Sequence, residues 1–216
     1  MKGRLITAKM IAGFKEHLIL EERSAATIQK YIRDVKAFAE YARLCQAAQR
    51  RHNERLNLIL QTICGTGIRV SELQFITVEV AKCGEAVVRC KGKTRTVFLV
   101  KALRQKLLRY AAKQNIQSGM IFVTRTGKPI SRTNIWREMK ALCVEADVNP
   151  QKVFPHNLRH LFARVFYGIE KDIAKLADIL GHSSINTTRI YNLHRHGTPP
   201  PDGNYAPDPM KKAAHL

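Results

Sequence analysis

Acidic residues are scarce in this chain: 17 Asp and Glu stand against 37 Lys and Arg in 216 residues, a formal charge of +20 at pH 7. A field of that sign concentrates polyanions, of which nucleic acid is the commonest, although some soluble proteins are simply basic all over. Cysteine pairs are missing as well. The five cysteines (Cys45, Cys64, Cys83, Cys90, Cys143) are odd in number and include no C-x-x-C spacing, which excludes a disulfide framework and the common zinc patterns. No apolar run approaches the roughly 20 residues of a membrane span. The stretch from Leu5 to Leu20 is broken by Lys9, Lys15, Glu16 and His17, so it is not read as a signal peptide either. These absences point to a cytoplasmic, reducing location and no membrane partner. Clusters of Asp and Glu with metal-ligand spacing are also lacking, so no metal site is predicted.

What is present is mostly helical periodicity. Residues 7–22 and 24–41 read as helices with Thr7 and Ser24 as N-caps, and Ile28, Tyr31, Ile32, Val35 and Phe38 form an apolar stripe on the second. The helical pattern continues from Arg43 to Cys64, with a charged interruption at 49–55, until the glycines of CGTG (64–67) break it. SELQ (71–74) has the form of a capping box with Ser71 at the N-cap and Gln74 reaching back. Ala86 to Cys90 and Thr94 to Val100 read as strands joined at a turn on Gly92. Further helices are predicted at about 101–114, 131–146, 157–168, 170–180 and 184–192, with Gly181 as a helix-terminating glycine. From His194 on, glycine and proline recur without periodicity, and 193–216 is predicted to be a disordered tail. The fold class is mainly α with a small antiparallel β-sheet (α+β).

The segment PHNLRHLFARVF (155–166) carries the densest chemistry. At helical spacing His156, Arg159 and His160 share one face, and Leu158, Leu161, Phe162 and Val165 anchor the opposite one. Such a face is either an ordinary solvated basic surface or a grip for phosphate. Arg offers a planar fork for two oxygens, and His exchanges protons near neutral pH. Arg69 stands at a corner between a glycine-rich break and the next helix, with Glu72 as a natural salt-bridge partner. Lys91 precedes the hairpin glycine and would reach outward. Tyr191 ends the stretch LGHSSINTTRIY (180–191), where it is either a core aromatic beside Ile185 and Ile190 or a nucleophile.

GTGIRVSEL (65–73), KGKTRTVFL (91–99), HNLRH (156–160), LGH (180–182) and TTRIY (187–191) occur in the order and at the separations of the tyrosine recombinases, also called phage-integrase-type recombinases. The resemblance covers roughly residues 40–192, the catalytic domain of that family. It implies a site-specific DNA recombinase, acting on double-stranded DNA without cofactor or metal and assembling as a homo-oligomer, a tetramer on DNA. In that reading Arg69 and Arg159 clamp one DNA phosphate, Tyr191 attacks its phosphorus to form a 3′-phosphotyrosine, and Lys91 protonates the leaving oxygen. His156 exchanges protons around Tyr191, His182 hydrogen-bonds the phosphate, and Glu72 and His160 support the cluster. Integration or excision of a mobile element is the expected role.

The pattern departs from the family at both ends. Two helices (7–41) stand where four or five usually close a clamp around DNA, and 1–39 is assigned to that shortened segment. The Pro-rich stretch after the tyrosine replaces a helix that usually docks on a neighbouring subunit. Both departures imply a shortened or rearranged recombinase whose chemistry is intact and whose activity is impaired. Two competing readings are a non-catalytic DNA-binding protein, with 130–148 as a helix-turn-helix-like segment, and a relaxing topoisomerase, which the small size disfavours.

Overall fold

The computed structural model describes residues 6–90, 92–182 and 184–193, apart from the side chains at 90, 93 and 190–193. Helices α1 (Ala8–Leu20) and α2 (Ala25–Arg50) pack as a hairpin at the N-terminal end. Their caps are those the sequence predicts: Thr7 Oγ1 accepts from Met10 N at 3.2 Å and Ser24 Oγ from Thr27 N at 3.3 Å. In α1 only Leu18 is buried, and in α2 the buried residues (Ala39, Leu44, Ala47, Ala48) all lie in the C-terminal half. At 1.5 Å per residue α2 is about 39 Å long, and its N-terminal half is only partly buried, with Asp34 pairing with Arg164 at 2.8 Å. It crosses positions 39 and 40 without a break.

Within the charged interruption at 49–55 only residues 51–53 leave the helix, and Asn53, whose Oδ1 accepts from Leu56 N at 3.0 Å, starts α3 (Glu54–Thr66). Leu56, Leu58, Ile59, Leu60 and Ile63 of α3 are all buried, and a helix apolar on most sides belongs at the centre of a fold. Packed against it are α2, α5 (Lys101–Lys113), α6 (Arg132–Ala146) and α7 (Pro155–Glu170), while α4 (Val78–Cys83) packs on α5. Strands β1 (Glu85–Cys90) and β2 (Lys93–Phe98) pair antiparallel, from Glu85 opposite Phe98 to Cys90 opposite Lys93. Ala86, Val88 and Val97 face the core while Val87 and Phe98 face outward, the period of two expected of a half-buried hairpin. Helices α8 (Ile173–Leu180) and α9 (Ile185–Leu193) complete the described chain, and a second small core of Ala163, Leu176 and Leu180 joins α7 to α8. The fold is thus mainly α with one small antiparallel sheet. Among the described residues no helix is long and apolar enough to cross a membrane.

Two local expectations are corrected. The capping box falls two residues early, because Glu72 accepts from Arg69 N at 2.8 Å while Gln74 only donates to the Ser71 carbonyl at 3.2 Å. A carboxylate is the stronger acceptor, and the element it starts is a 3-10 turn over Val70–Phe75 rather than an α-helix. Residues 130–148 form α6 and its flanks, one helix and not a helix pair, so the helix-turn-helix reading of that segment does not hold. The Pro-rich stretch from His194 lies outside the described residues.

Helix α3 stops at Gly67, whose φ of +66° is left-handed and where a Cβ would stand 2.5 Å from Phe162 Cδ1. Gly65, two residues earlier, has open space around it. Gly67→Ala is therefore expected to lower the unfolding free energy by about 2 kcal/mol or more, and Gly65→Ala to raise it by up to about 1 kcal/mol. Urea denaturation of the two variants beside the parent checks the opposite signs.

Candidate active site

The end of α3, Arg159 of α7 and the hairpin meet at the C-terminus of α8. The last carbonyls of a helix carry partial negative charge and attract cations. Here two arginines from distant segments answer that attraction: Arg159 Nη2 donates to Leu180 O at 2.5 Å and Arg69 Nη2 to Gly181 O at 3.2 Å. Gly181 makes the meeting possible, because its φ is +63° and a Cβ there would fall 2.7 Å from the Arg95 side chain.

Arg159 reaches this place by a route the helical wheel did not indicate. The sequence reading sends its side chain outward with His156 and His160, yet it is only 2% exposed. Its Nη1 also donates to the Gly67 carbonyl, so one guanidinium joins the end of α3 to the end of α8. These neutral acceptors orient the group without adding negative charge beside it.

Glu72 organises the other side. It is 1% exposed and accepts from Arg69 N (2.8 Å), Arg69 Nη1 (2.8 Å) and Arg95 Nη2 (2.6 Å). Burial pushes its carboxyl up, but hydrogen bonds from the Arg69 backbone and side chain and the charge of Arg95 outweigh burial and hold it below the usual carboxylate range. The carboxylate is thus ionised at neutral pH and holds two guanidinium planes in fixed orientation. Two guanidiniums thus flank one carboxylate, and Arg159 on the neighbouring carbonyls adds a third cation nearby, so the local balance stays positive.

Two imidazoles sit in this field. His182 is half-buried: its Nδ1 lies 2.9 Å from Thr188 Oγ1 on α9, and its Nε2 lies 3.3 Å from Arg159 Nη2. Desolvation first, then Arg159, Arg69, Arg95 and His156, pushes its pKa down to about 3. His156 is an exposed residue, but protein atoms crowd its ring and desolvation leads again, followed by Arg159, Arg132 and Arg69, bringing it down to about 4. Both are neutral at pH 7 and able to accept a proton. His160 braces His156 edge-on, with ring centroids 4.4 Å apart.

Of the residues singled out in the sequence, Arg69, Glu72, His156, Arg159 and His182 converge, and His160 joins them through His156. Tyr191 lies on α9 one turn beyond Thr188, with its side chain outside the described residues, and Lys91 lies wholly outside them. Arg95, Arg132 and Thr188 were missed. A signal for Arg95 existed: it falls in phase with buried Val97 on β2, and an arginine at an inward strand position needs a buried anion. Nothing comparable marks Thr188, a completely buried hydroxyl whose partner lies on another element.

A histidine with a folded pKa near 3 or 4 binds fewer protons folded than unfolded whenever the pH lies between that value and about 6.5. Stability is expected to fall as pH is lowered from about 6.5 towards 4. The slope should shrink in a His156→Gln, His182→Gln double variant, as followed by urea denaturation at pH 7, 5.5 and 4.5.

Residues 36–197 match the phage integrase family. The tyrosine recombinase XerH of Campylobacter jejuni is 31% identical over 189 residues, covering 84% of this chain and 50% of that protein. The tyrosine recombinase XerC of Erythrobacter litoralis is 29% identical over 174 residues, covering 76% of this chain and 56% of that protein. The chain thus spans about half the length of the relatives it matches. Among solved structures, XerA recombinase superposes with a TM-score of 0.62 at 26% identity, over 89% of this chain and 80% of that one. A matched family region that contains every converging side chain leaves one assignment: the chain belongs to the phage integrase family of tyrosine recombinases.

Proposed function

We propose that this protein is a site-specific DNA recombinase that cuts and rejoins double-stranded DNA through a covalent 3′-phosphotyrosine, in the integration or excision of a mobile element. The observation that carries the reading is the convergence of Arg69 and Arg159 on the end of α8, with neutral His156 and His182 beside them and α9 adjoining. Two guanidiniums on the non-bridging oxygens of one phosphate neutralise charge that grows as phosphorus becomes five-coordinate. The phenol oxygen of Tyr191 attacks phosphorus and the bond to the 5′ oxygen breaks. The phenol proton passes to His156, whose low pKa keeps its lone pair available at pH 7. Lys91 delivers a proton to the departing 5′ oxygen, and His182 donates a hydrogen bond to the phosphate. Rejoining is the reverse, so the energy of the backbone bond is kept in the phosphotyrosine and no nucleotide is consumed.

In this reading Glu72 holds Arg69 in position and His160 supports His156. Residues 40–192 are the catalytic unit, 1–39 belong to a clamp on the duplex, and copies of the chain assemble on DNA as a homo-oligomer. The names of the relatives and the +20 charge support DNA as the substrate.

Wild type is expected to form a covalent adduct with a nicked suicide duplex, visible on a denaturing gel, and Tyr191→Phe to form none while retaining affinity. Arg159→Lys, which cannot span two carbonyls as a planar fork, is expected to slow cleavage about 10²-fold or more. A wild type that binds DNA without any adduct would make the protein a binding module instead. Affinity is expected to fall steeply with salt, with a log–log slope of about −0.9 per phosphate contacted, as measured by fluorescence anisotropy.

A further inference from the structure

The hydrogen bonds of His182 fix where its proton sits. An arginine guanidinium can only donate, so the contact from Arg159 Nη2 at 3.3 Å makes Nε2 an acceptor. A neutral imidazole then carries its proton on Nδ1, which donates to Thr188 Oγ1 at 2.9 Å. Thr188 is fully buried on α9, three residues before Tyr191.

This arrangement conflicts with a phosphate-binding role. With its proton on Nδ1, the ring presents a lone pair at Nε2, and a lone pair repels an anionic phosphate oxygen. Once Arg159 turns part of its guanidinium to the phosphate, Nε2 must become a donor. A hydroxyl is the side-chain group that suits both situations, because it accepts from Nδ1–H in one and, after rotating, donates to the Nδ1 lone pair in the other.

Resting on the proposed recombinase reading, we propose that Thr188 is a positioning residue: its hydroxyl partners Nδ1 of His182 in both tautomers, so the imidazole turns from acceptor to phosphate donor without leaving the helix of Tyr191. The exchange balances through solvent, which reaches this half-buried ring. Nε2 takes up a proton, Nδ1 releases one, and the net charge is unchanged. The cations around His182 oppose a charged imidazolium, which favours a change of tautomer over a gain of charge. The same hydrogen bond joins the phosphate's ligand to the nucleophile's helix, so the two enter the site in register.

The test compares wild type, Thr188→Val, Thr188→Ser and Tyr191→Phe on the nicked suicide duplex, with nitrogen-15 NMR of His182 in free and duplex-bound protein. Valine keeps the shape and removes the hydroxyl; serine keeps the hydroxyl. Thr188→Val is expected to cleave about 10²-fold more slowly with DNA affinity changed less than about threefold, and Thr188→Ser to restore most of the rate. The His182 proton is expected on Nδ1 in free protein and on Nε2 with duplex bound. Equal rates for Thr188→Val and wild type, a serine variant as slow as the valine one, or a tautomer that does not change on binding would each overturn the inference. Absence of an adduct in wild type would instead remove the recombinase reading, and the tautomer measurement in wild type and Thr188→Ser would still decide the role of the hydroxyl.

Discussion

The guanidinium of Arg159 is withdrawn from water and donates to the carbonyls of Gly67 and Leu180, the terminal turns of two helices far apart in sequence. A buried cation is tolerable only when its donors are met, and a planar fork meets two carbonyls at once where an ammonium would meet them singly. The site depends on this junction. It sets where α3 stops relative to α8, and with it where Arg69, just after the first stop, stands relative to His182, just after the second. Gly67 and Gly181 let both helices end left-handed within reach of the same group.

A cluster of cations has to be held against its own repulsion before any anion arrives. Glu72 does this for Arg69 and Arg95, and the α8 carbonyls do it for Arg69 and Arg159. Three guanidiniums and one carboxylate leave an excess of positive charge, the condition under which an anion is attracted on arrival. Burial first, and the same excess of positive charge after it, keep both imidazoles neutral. The surroundings proposed to bind a phosphate therefore also hold the two imidazoles in their neutral form.

The hairpin contributes on this side too. Arg95 leans on Gly181 and pairs with Glu72, so β2 is fastened to the 3-10 turn that follows Arg69 and to the end of α8. A small two-stranded sheet, weak by itself, gains its place in the molecule from a buried charge pair as well as from Ala86, Val88 and Val97.

Much of the architecture was legible in the residues. Periodicity located most helices to within a few positions, although α2 runs on to Arg50 past the predicted end at 41 and α4 matches no predicted helix. Thr7, Ser24 and Gly181 marked helix ends and alternation marked the hairpin, because those signals are local. The motif order also identified Arg69, Glu72, His156, Arg159 and His182 as a set. What local pattern could not decide was direction and partnership. A helical wheel points Arg159 toward solvent, since it cannot know that the ends of α3 and α8 lie within reach of its long side chain. Ser71 and Gln74 satisfy the capping pattern, but Glu72 prevails because Arg69 and Arg95 converge on it from different elements. Arg95 and Thr188 act through hydrogen bonds to residues on other elements, a relation with no fixed spacing to recognise. The sequence by itself determined which chemical groups are present and on which elements they ride; tertiary packing alone decided which carbonyl, carboxylate or hydroxyl each one meets, because those pairings join segments that only the folded core brings together.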